Sequence, residues 1–269
     1  MHNNSYMMEN DEEALRLDLK TEDMVTEKQA LWAGLKPGMR VADVGSGPGK
    51  TTAKLYEIAQ PGGSAVGIDT SEQRVSYAIE HYNRPGINFL HRNILDPLED
   101  IGTFDFVWVR FLLEYYLSNS LDLIKNLDRL VKPGGILCLI DLDYNCLSHY
   151  GLSSRMERTI FALVDYLGEK ANFDPYAGRK LYSYLYDLGY EEIQMDLAAH
   201  HLFYGSIKES DDFNWTKKVE VGGKNFGFKF EEYEGGYTEF YEEFRRFFFD
   251  PRRFTYTPVI CCRGRKPKR

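Results

Sequence analysis

The chain has 269 residues, and its 43% hydrophobic and 28% charged residues are typical of a soluble globular protein with one sizeable domain. The formal net charge of −8 repels phosphate backbones, which argues against nucleic acid as a partner. No apolar segment typical of a signal peptide follows Met1, and the longest aliphatic run, residues 136–140, is too short to span a membrane. The four cysteines show no Cys-x-x-Cys spacing, so we expect reduced cysteines in a cytoplasmic protein without membrane contact.

The first half of the chain alternates helical and strand patterns. Residues 9–34 are predicted to form a helix that ends at Gly34. Short apolar runs then alternate with helical segments, separated by turn residues. The predicted strands are residues 40–44, 64–68, 87–91, 104–109 and 136–140, and the predicted helices are residues 50–59, 70–83 and 120–131. Such alternation is typical of βαβ units, so we expect an α/β fold with a mostly parallel sheet and helices on both faces.

The second half of the chain departs from this alternation. Helices are predicted over residues 156–170, 179–188 and 237–249, and strands over residues 193–199 and 259–262. The pair Gly222-Gly223 predicts a hairpin between residues 217–221 and 224–230. Residues 203–256 also hold 17 of the 39 aromatic residues, which fits a substrate cap, a subunit interface or ordinary core equally well.

These patterns divide the chain into three parts. Residues 1–34 are predicted to form a helical lid. The core is predicted to comprise residues 35–202, including the helices of residues 144–190, together with residues 252–269. Residues 203–251 are then an aromatic-rich insertion or cap.

A glycine-rich turn follows the first predicted strand. It has the pattern Asp43-x-Gly45-x-Gly47-x-Gly49 and leads directly into a helix. Glycines let the backbone approach a ligand closely, and N–H groups at a helix start can meet its polar atoms. Asp69 ends the next strand, where a carboxylate can accept hydrogen bonds from both hydroxyls of a ribose. The combination predicts a nucleoside site at the carboxyl ends of parallel strands.

Three classes of cofactor compete for such a turn. A dinucleotide fingerprint, Gly-x-Gly-x-x-Gly/Ala, needs a small residue at position 50, which is Lys50. A phosphate-binding loop that ends in Gly49-Lys50-Thr51 needs a glycine at position 44, which is Val44. Neither pattern is complete, and S-adenosylmethionine is the third candidate.

Five segments resemble, in order and spacing, the motifs of class I S-adenosylmethionine-dependent methyltransferases. They are residues 41–49, 67–70, 93–94, 104–108 and 130–135. The resemblance covers residues 35–142 well and the remainder loosely. It implies a Rossmann-like, mostly parallel seven-stranded sheet with helices on both faces, plus a helical, aromatic cap insertion. It also implies S-adenosylmethionine as the cofactor and S-adenosylhomocysteine as its product.

The resemblance assigns roles residue by residue. Gly45 and Gly47 would face the methionine part of the cofactor, and Asp69 would face the ribose. Asn93, where many relatives have Asp, and the backbone of Ile94 would contact the adenine. The backbone of Arg110 would lie near the cofactor's amino group. The full set of predicted cofactor-binding residues is Asp43, Gly45, Ser46, Gly47, Asp69, Thr70, Asn93, Ile94 and Arg110.

The methyl acceptor is predicted to be an O, N or C centre of a small-molecule metabolite. Residues 109–112 do not resemble the Asp/Asn-Pro-Pro-aromatic motif of enzymes that methylate adenine or glutamine nitrogens. Asp141 and Asp143 alone are weak evidence for a metal, so none is predicted. His149, in the loop after the fifth strand, is the candidate general base, and an ordinary loop histidine is the plainer interpretation.

Two alternatives stay open at this point. A non-catalytic S-adenosylmethionine-binding protein, acting as a sensor or a partner subunit, would have the same cofactor motifs. In that case the aromatic-rich insertion would serve as an interface, and a homodimer through this insertion is the assembly to test.

Overall fold

The computed structural model describes residues 14, 17–18 and 23–268, with the side chain of Ser210 left aside. Most of the predicted lid therefore lies outside the described residues. The helices delimited within these ranges are α1 Asp23–Ala33, α2 Lys50–Ile58, α3 Glu72–Tyr82, α4 Ser120–Asp128, α5 Ser154–Ala171, α6 Leu181–Asp187, α7 Glu209–Lys224 and α8 Gly236–Phe249. The strands are β1 Arg40–Val44, β2 Ser64–Asp69, β3 Ile87–His91, β4 Phe104–Arg110, β5 Val131–Leu142, β6 His149–Tyr150, β7 Glu191–Phe203 and β8 Phe254–Arg265.

The described strands form one sheet in the order β3-β2-β1-β4-β5-β8-β6, with β7 also paired to β8. Strands β1 to β5 are parallel to one another, and β8 runs antiparallel to β5, β6 and β7. The predicted α/β fold is confirmed, with one strand more than the seven expected because the two-residue β6 pairs with the start of β8. Strand order reverses between β1 and β4, and open α/β sheets bind their ligands in the crevice at such a point.

Apolar side chains hold helices against both faces of this sheet. Strands β1, β2 and β4 are almost wholly buried, as expected for parallel strands covered on both sides. One face packs against α4 and α6 through residues such as Leu123 and Leu181. The other face packs against α1 and α2 through Ala30 and Leu55. Two separate apolar cores, one on each face of the sheet, thus hold the strand ends that carry the glycine-rich turn.

A third cluster is aromatic and is built by α5, α7 and α8. It buries Trp215, Phe240, Phe244 and Phe248. Much of the aromatic surface of residues 203–251 is therefore buried in this cluster. Helix α5, from the region assigned to the main core, packs into the same cluster.

The hairpin predicted around Gly222-Gly223 is wrong, because residues 209–224 form the single helix α7. A Cβ at Gly223 would lie 2.6 Å from the ring of Tyr237 in α8, and one at Gly222 would lie 3.5 Å from Leu167 in α5. The two glycines thus let α7 approach its neighbouring helices closely, and they do not reverse the chain.

Candidate active site

The glycine-rich turn between β1 and α2 lies at the point where the strand order reverses. Gly45, Gly47 and Gly49 have φ angles of +77°, +54° and +94°, in the left-handed region that favours glycine. The N–H groups of Gly45 and Ser46 donate to the carbonyl oxygen of Ile68 at 2.8 and 3.0 Å. The turn is therefore tied to the end of β2.

Polar and apolar groups surround this turn. The side chain of Ser46 is buried, and its Oγ has no hydrogen-bond partner within the part of the chain that the structure describes. Leu17 comes within 3.8 Å of the point where a Cβ of Gly47 would lie. The backbone oxygen of Asp18 accepts a hydrogen bond from Lys50 Nζ at 3.1 Å. The described residues of the N-terminal segment thus lie against the turn.

Asp69, at the end of β2, is 5% exposed, and its carboxylate accepts several hydrogen bonds. Its Oδ2 accepts from the Gly47 N–H at 2.8 Å. Its Oδ1 accepts from the Ser71 N–H at 2.9 Å and from Nε and Nη2 of Arg74 at 3.1 and 2.9 Å. Arg74 is itself buried, so the two side chains form a buried ion pair between β2 and α3. The sequence analysis missed Arg74, although its place in the first turn of a helix that follows Asp69 was a usable signal.

Asp43 and Arg110 lie at the carboxyl ends of β1 and β4. Asp43 is 2% exposed, and its Oδ2 accepts from Thr52 Oγ1 at 2.6 Å. Burial raises the pKa of Asp43 to about 7; the Thr52 hydrogen bond and the charge of Arg110 oppose this rise, and the charge of Asp69 adds to it. The guanidinium carbon of Arg110 lies 4.2 Å from the ring centroid of Phe111. Asp43 is thus a buried carboxyl group beside the charges of Asp69 and Arg110, and Arg74 neutralises Asp69.

The predicted adenine contacts follow β3. Asn93 is exposed, and its Oδ1 accepts a hydrogen bond from the Leu95 N–H at 3.2 Å. Ile94 is buried, and its carbonyl oxygen accepts from Asn126 Nδ2 at 2.9 Å. Asn93 therefore shapes its own loop in this structure. Thr70 is exposed at the start of the neighbouring loop after β2.

Residues 111–116, after β4, form a wall beside the turn. Leu112 Cδ1 lies 3.1 Å from the point where a Cβ of Gly45 would stand. Burial, with a smaller contribution from the charge of Asp69 and against that of Arg74, raises the pKa of Tyr116 to about 12. Tyr115, the preceding residue, lines a cavity. In this wall, Leu112 therefore lies beside the glycine-rich turn, and Tyr115 lies beside the cavity.

Two buried acids, Glu114 in the wall and Asp141 near the end of β5, were not predicted as site residues. Asp141 Oδ2 accepts from the N–H groups of Leu113 and Glu114 at 2.8 and 3.3 Å. Burial and the neighbouring charge of Glu114 raise the pKa of Asp141 well above its usual range, against the effect of these hydrogen bonds. Glu114 Oε2 accepts from Asn145 Nδ2 at 2.6 Å. No three His, Cys, Asp or Glu residues converge as a metal site in the described ranges.

The cavity is lined mainly by helices α5, α7 and α8 and by the segments that follow β4 and β5. It encloses about 740 Å³ between its atoms, including the part that opens to solvent. Most of its lining is aromatic or aliphatic, and the residues include Leu163, Leu167, Phe173, Trp215, Phe240 and Phe244. Its polar lining includes Asn145, Cys146, His149 and Lys218. Such a largely apolar pocket with a few polar groups is typical of a small-molecule site.

His149, the predicted base, lines this cavity at the start of β6. Its Nε2 lies 3.0 Å from the carbonyl oxygen of Cys146, and its Nδ1 lies 2.8 Å from Thr255 Oγ1. Because a carbonyl only accepts, Nε2 is the donor, and Nδ1 accepts from the threonine hydroxyl. Burial lowers the pKa of His149 to about 4. The imidazole is thus neutral with both nitrogens engaged, an arrangement that does not favour proton removal from a substrate.

Residues 42–139 match the family model of a methyltransferase domain. This segment runs from β1 into β5 and contains the glycine-rich turn, Asp69, Asn93 and the wall after β4. The predicted resemblance to methyltransferases is confirmed over these residues.

Relatives support the same assignment. A demethylmenaquinone methyltransferase of Bacillus cereus is 34% identical over 110 residues, which cover 39% of this chain and 46% of the relative. The chain thus spans about half the length of the curated relatives it matches. YjhP of E. coli has a TM-score of 0.58 at 18% identity, over 95% of this chain and 98% of that one. Phosphoethanolamine N-methyltransferase 2 of Haemonchus contortus, solved with S-adenosylmethionine, has a TM-score of 0.53 at 15% identity, over 91% and 52% of the two chains. The two structural likenesses concern the fold.

Proposed function

We propose that the chain is an S-adenosylmethionine-dependent methyltransferase that methylates an O, N or C centre of a small molecule. The observation that carries this proposal is the glycine-rich turn beside Asp43 and Asp69, inside the segment that matches the methyltransferase domain. The names of the relatives support it, since one is a demethylmenaquinone methyltransferase and another was solved with S-adenosylmethionine. The apolar cavity beyond the wall supports a small-molecule acceptor.

The residues at the turn fit this cofactor. The buried hydroxyl of Ser46 lacks a partner among the described residues and can bond a polar group of the ligand. A cationic ligand such as the sulfonium of this cofactor would stabilise the charged form of Asp43, whose pKa burial raises to about 7. Asp69 Oδ2 accepts one donor and has capacity for a ribose hydroxyl. Thr70, Asn93, Ile94 and Arg110 complete the proposed set. When bound, S-adenosylmethionine supplies a methyl group already activated by its sulfonium.

The chain itself contributes positioning and exclusion of water. The wall of residues 111–116 fixes the turn relative to the cavity, and orientation of two reactants can be worth about 7–11 kcal/mol. The apolar lining keeps water from the reacting centre. We propose that His149 positions the cavity wall through Thr255 and Cys146 and does not act as the base.

The remaining features are proposals of the same kind. Contacts of Leu17 and Asp18 at the turn support the N-terminal segment as a lid. Phe213 and Phe249, which are 56% and 44% exposed on the insertion, support a homodimer through it, to be tested by light scattering. None of the helices in the described ranges is long and apolar enough to cross a membrane. The acidic net charge supports a cytoplasmic enzyme that does not act on nucleic acid.

Release of S-adenosylhomocysteine tests the activity. The full chain is incubated with S-adenosylmethionine and a panel of phenols, amines and quinols, and each product is followed by mass spectrometry. We expect a mass gain of one methyl group that depends on both chain and substrate. Tight binding of the cofactor without turnover across the panel would favour the non-catalytic sensor instead.

A further inference from the structure

Lys218, on α7, is half-buried in the lining of the cavity described above. Its ammonium nitrogen lies 5.5 Å from the ring centroid of Trp215. Within the described residues it has no carboxylate within 4 Å, whereas its neighbour Lys217 pairs with Glu220 at 3.7 Å. Of the described residues that line the cavity, Lys218 is the one with a permanent charge.

Among the other polar lining groups, Asn145 and His149 are engaged, whereas Trp215 Nε1 is buried without a hydrogen-bond partner in the described residues. Asn145 donates to Glu114 and accepts from Cys146 Sγ at 3.5 Å. Both ring nitrogens of His149 have partners. A substrate that fills the cavity beside Lys218 displaces water from this side chain, and lost hydration of an ammonium group is offset only by an opposite charge. Lys218 therefore supplies the charge that distinguishes an anionic substrate from a neutral one, and Trp215 Nε1–H is a second hydrogen-bond donor in the lining.

We propose that the substrate of this cavity is a largely apolar molecule with one anionic group, such as a carboxylate, that binds Lys218. This inference rests on the proposed function and names its substrate class. Trp215 packs against the lysine and limits where the ammonium can point, which prepares it for the anion. The aromatic and aliphatic lining binds the rest of the molecule.

Two pairs of probes of matched shape test the inference. They are 1-naphthaleneacetate with 1-naphthaleneacetamide, and octanoate with octanamide. Each is titrated calorimetrically into the full chain at pH 7.5 and low salt, with S-adenosylhomocysteine present. We expect the carboxylate of at least one pair to bind tenfold or more tightly than its amide, because a charge-assisted hydrogen bond forms only with the anion. The preference should shrink as salt is added.

Variants separate the charge from the packing of the side chain. Lys218→Met keeps most of the apolar stem and should bring the two affinities of a pair within twofold of each other. Lys218→Arg should keep the preference for the carboxylate, and the matched control Lys217→Met should leave it unchanged.

Three results would overturn the inference: equal affinity of the partners in both pairs, a carboxylate preference that survives in Lys218→Met, or no binding of any probe to the folded chain. Failure of the proposed function would differ, because S-adenosylhomocysteine itself would then release no heat, or the chain would bind the cofactor and methylate no compound of the panel.

Discussion

Gly49 closes the glycine-rich turn, and replacing it with alanine tests why that position has no side chain. Its φ of +94° alone costs an alanine about 1–2 kcal/mol. The new Cβ would also lie 2.8 Å from both Ala78 Cβ and Phe89 Cζ, which belong to one buried cluster. Overpacking of this kind costs about 1–3 kcal/mol more. We therefore expect Gly49→Ala to lower the free energy of unfolding by about 2–5 kcal/mol.

Gly38→Ala is the matched control, because Gly38 has a similar φ of +84°. A Cβ added at Gly38 would have no atom of another described residue within 4 Å beyond its two chain neighbours. It should cost only the backbone strain, about 1–2 kcal/mol. Urea unfolding of both variants, followed by circular dichroism, measures the difference directly. Equal losses in the two variants would refute the argument that α3 and β3 require a glycine at position 49.

Three further outcomes follow from buried charges and packing. Burial raises the pKa of Asp43 from 3.8 to about 7, so the free energy of unfolding falls as the pH rises from about 4 through 7. Asp43→Asn should remove this loss, and should therefore raise the free energy of unfolding by about 1–4 kcal/mol at pH 8 but by little at pH 4. Urea unfolding at both pH values measures the difference. Arg74→Met should cost about 3–5 kcal/mol because it leaves Asp69 buried without its partner, and a double-mutant cycle with Asp69→Asn should reveal strong coupling; additive losses would contradict this. Phe248→Ala should lower the free energy of unfolding by about 3–5 kcal/mol in thermal or urea unfolding, and a loss below 1 kcal/mol would contradict the close packing of Phe248 in the cluster of α5, α7 and α8.

Much of the fold could be predicted from the sequence, because the spacing of apolar residues indicates which segments are buried. Strands such as residues 104–110 are buried on both faces, so their apolar runs are visible in the sequence. Helix α7 escaped detection because Gly222-Gly223 is a turn signal in isolation, and only the approach of Tyr237 and Leu167 explains the glycines. The acidic residues in its first turn, including Asp211 and Asp212, were the local signal for a helix start.

The candidate site likewise has one part that the local sequence predicts and another part that it does not. The turn and Asp69 belong to a contiguous pattern, and their places at strand ends follow from it. Arg74 lies only five residues from Asp69, so this partner was within reach of local spacing. Other contacts join distant positions, as where the Glu114 N–H donates to Asp141. The engaged nitrogens of His149 likewise depend on Thr255, more than 100 residues away. No local spacing contains these contacts.

Calorimetric titration of the full chain with S-adenosylmethionine tests the central claim most directly. We predict one site per chain with micromolar affinity, weakened tenfold or more by Asp69→Ala, which removes the proposed ribose acceptor. Asp105→Ala is the control, since Asp105 bonds the Arg40 N–H and Lys132 at the far end of β4 and should leave the affinity unchanged. No heat at millimolar cofactor, or an affinity that Asp69→Ala does not change, would contradict the account.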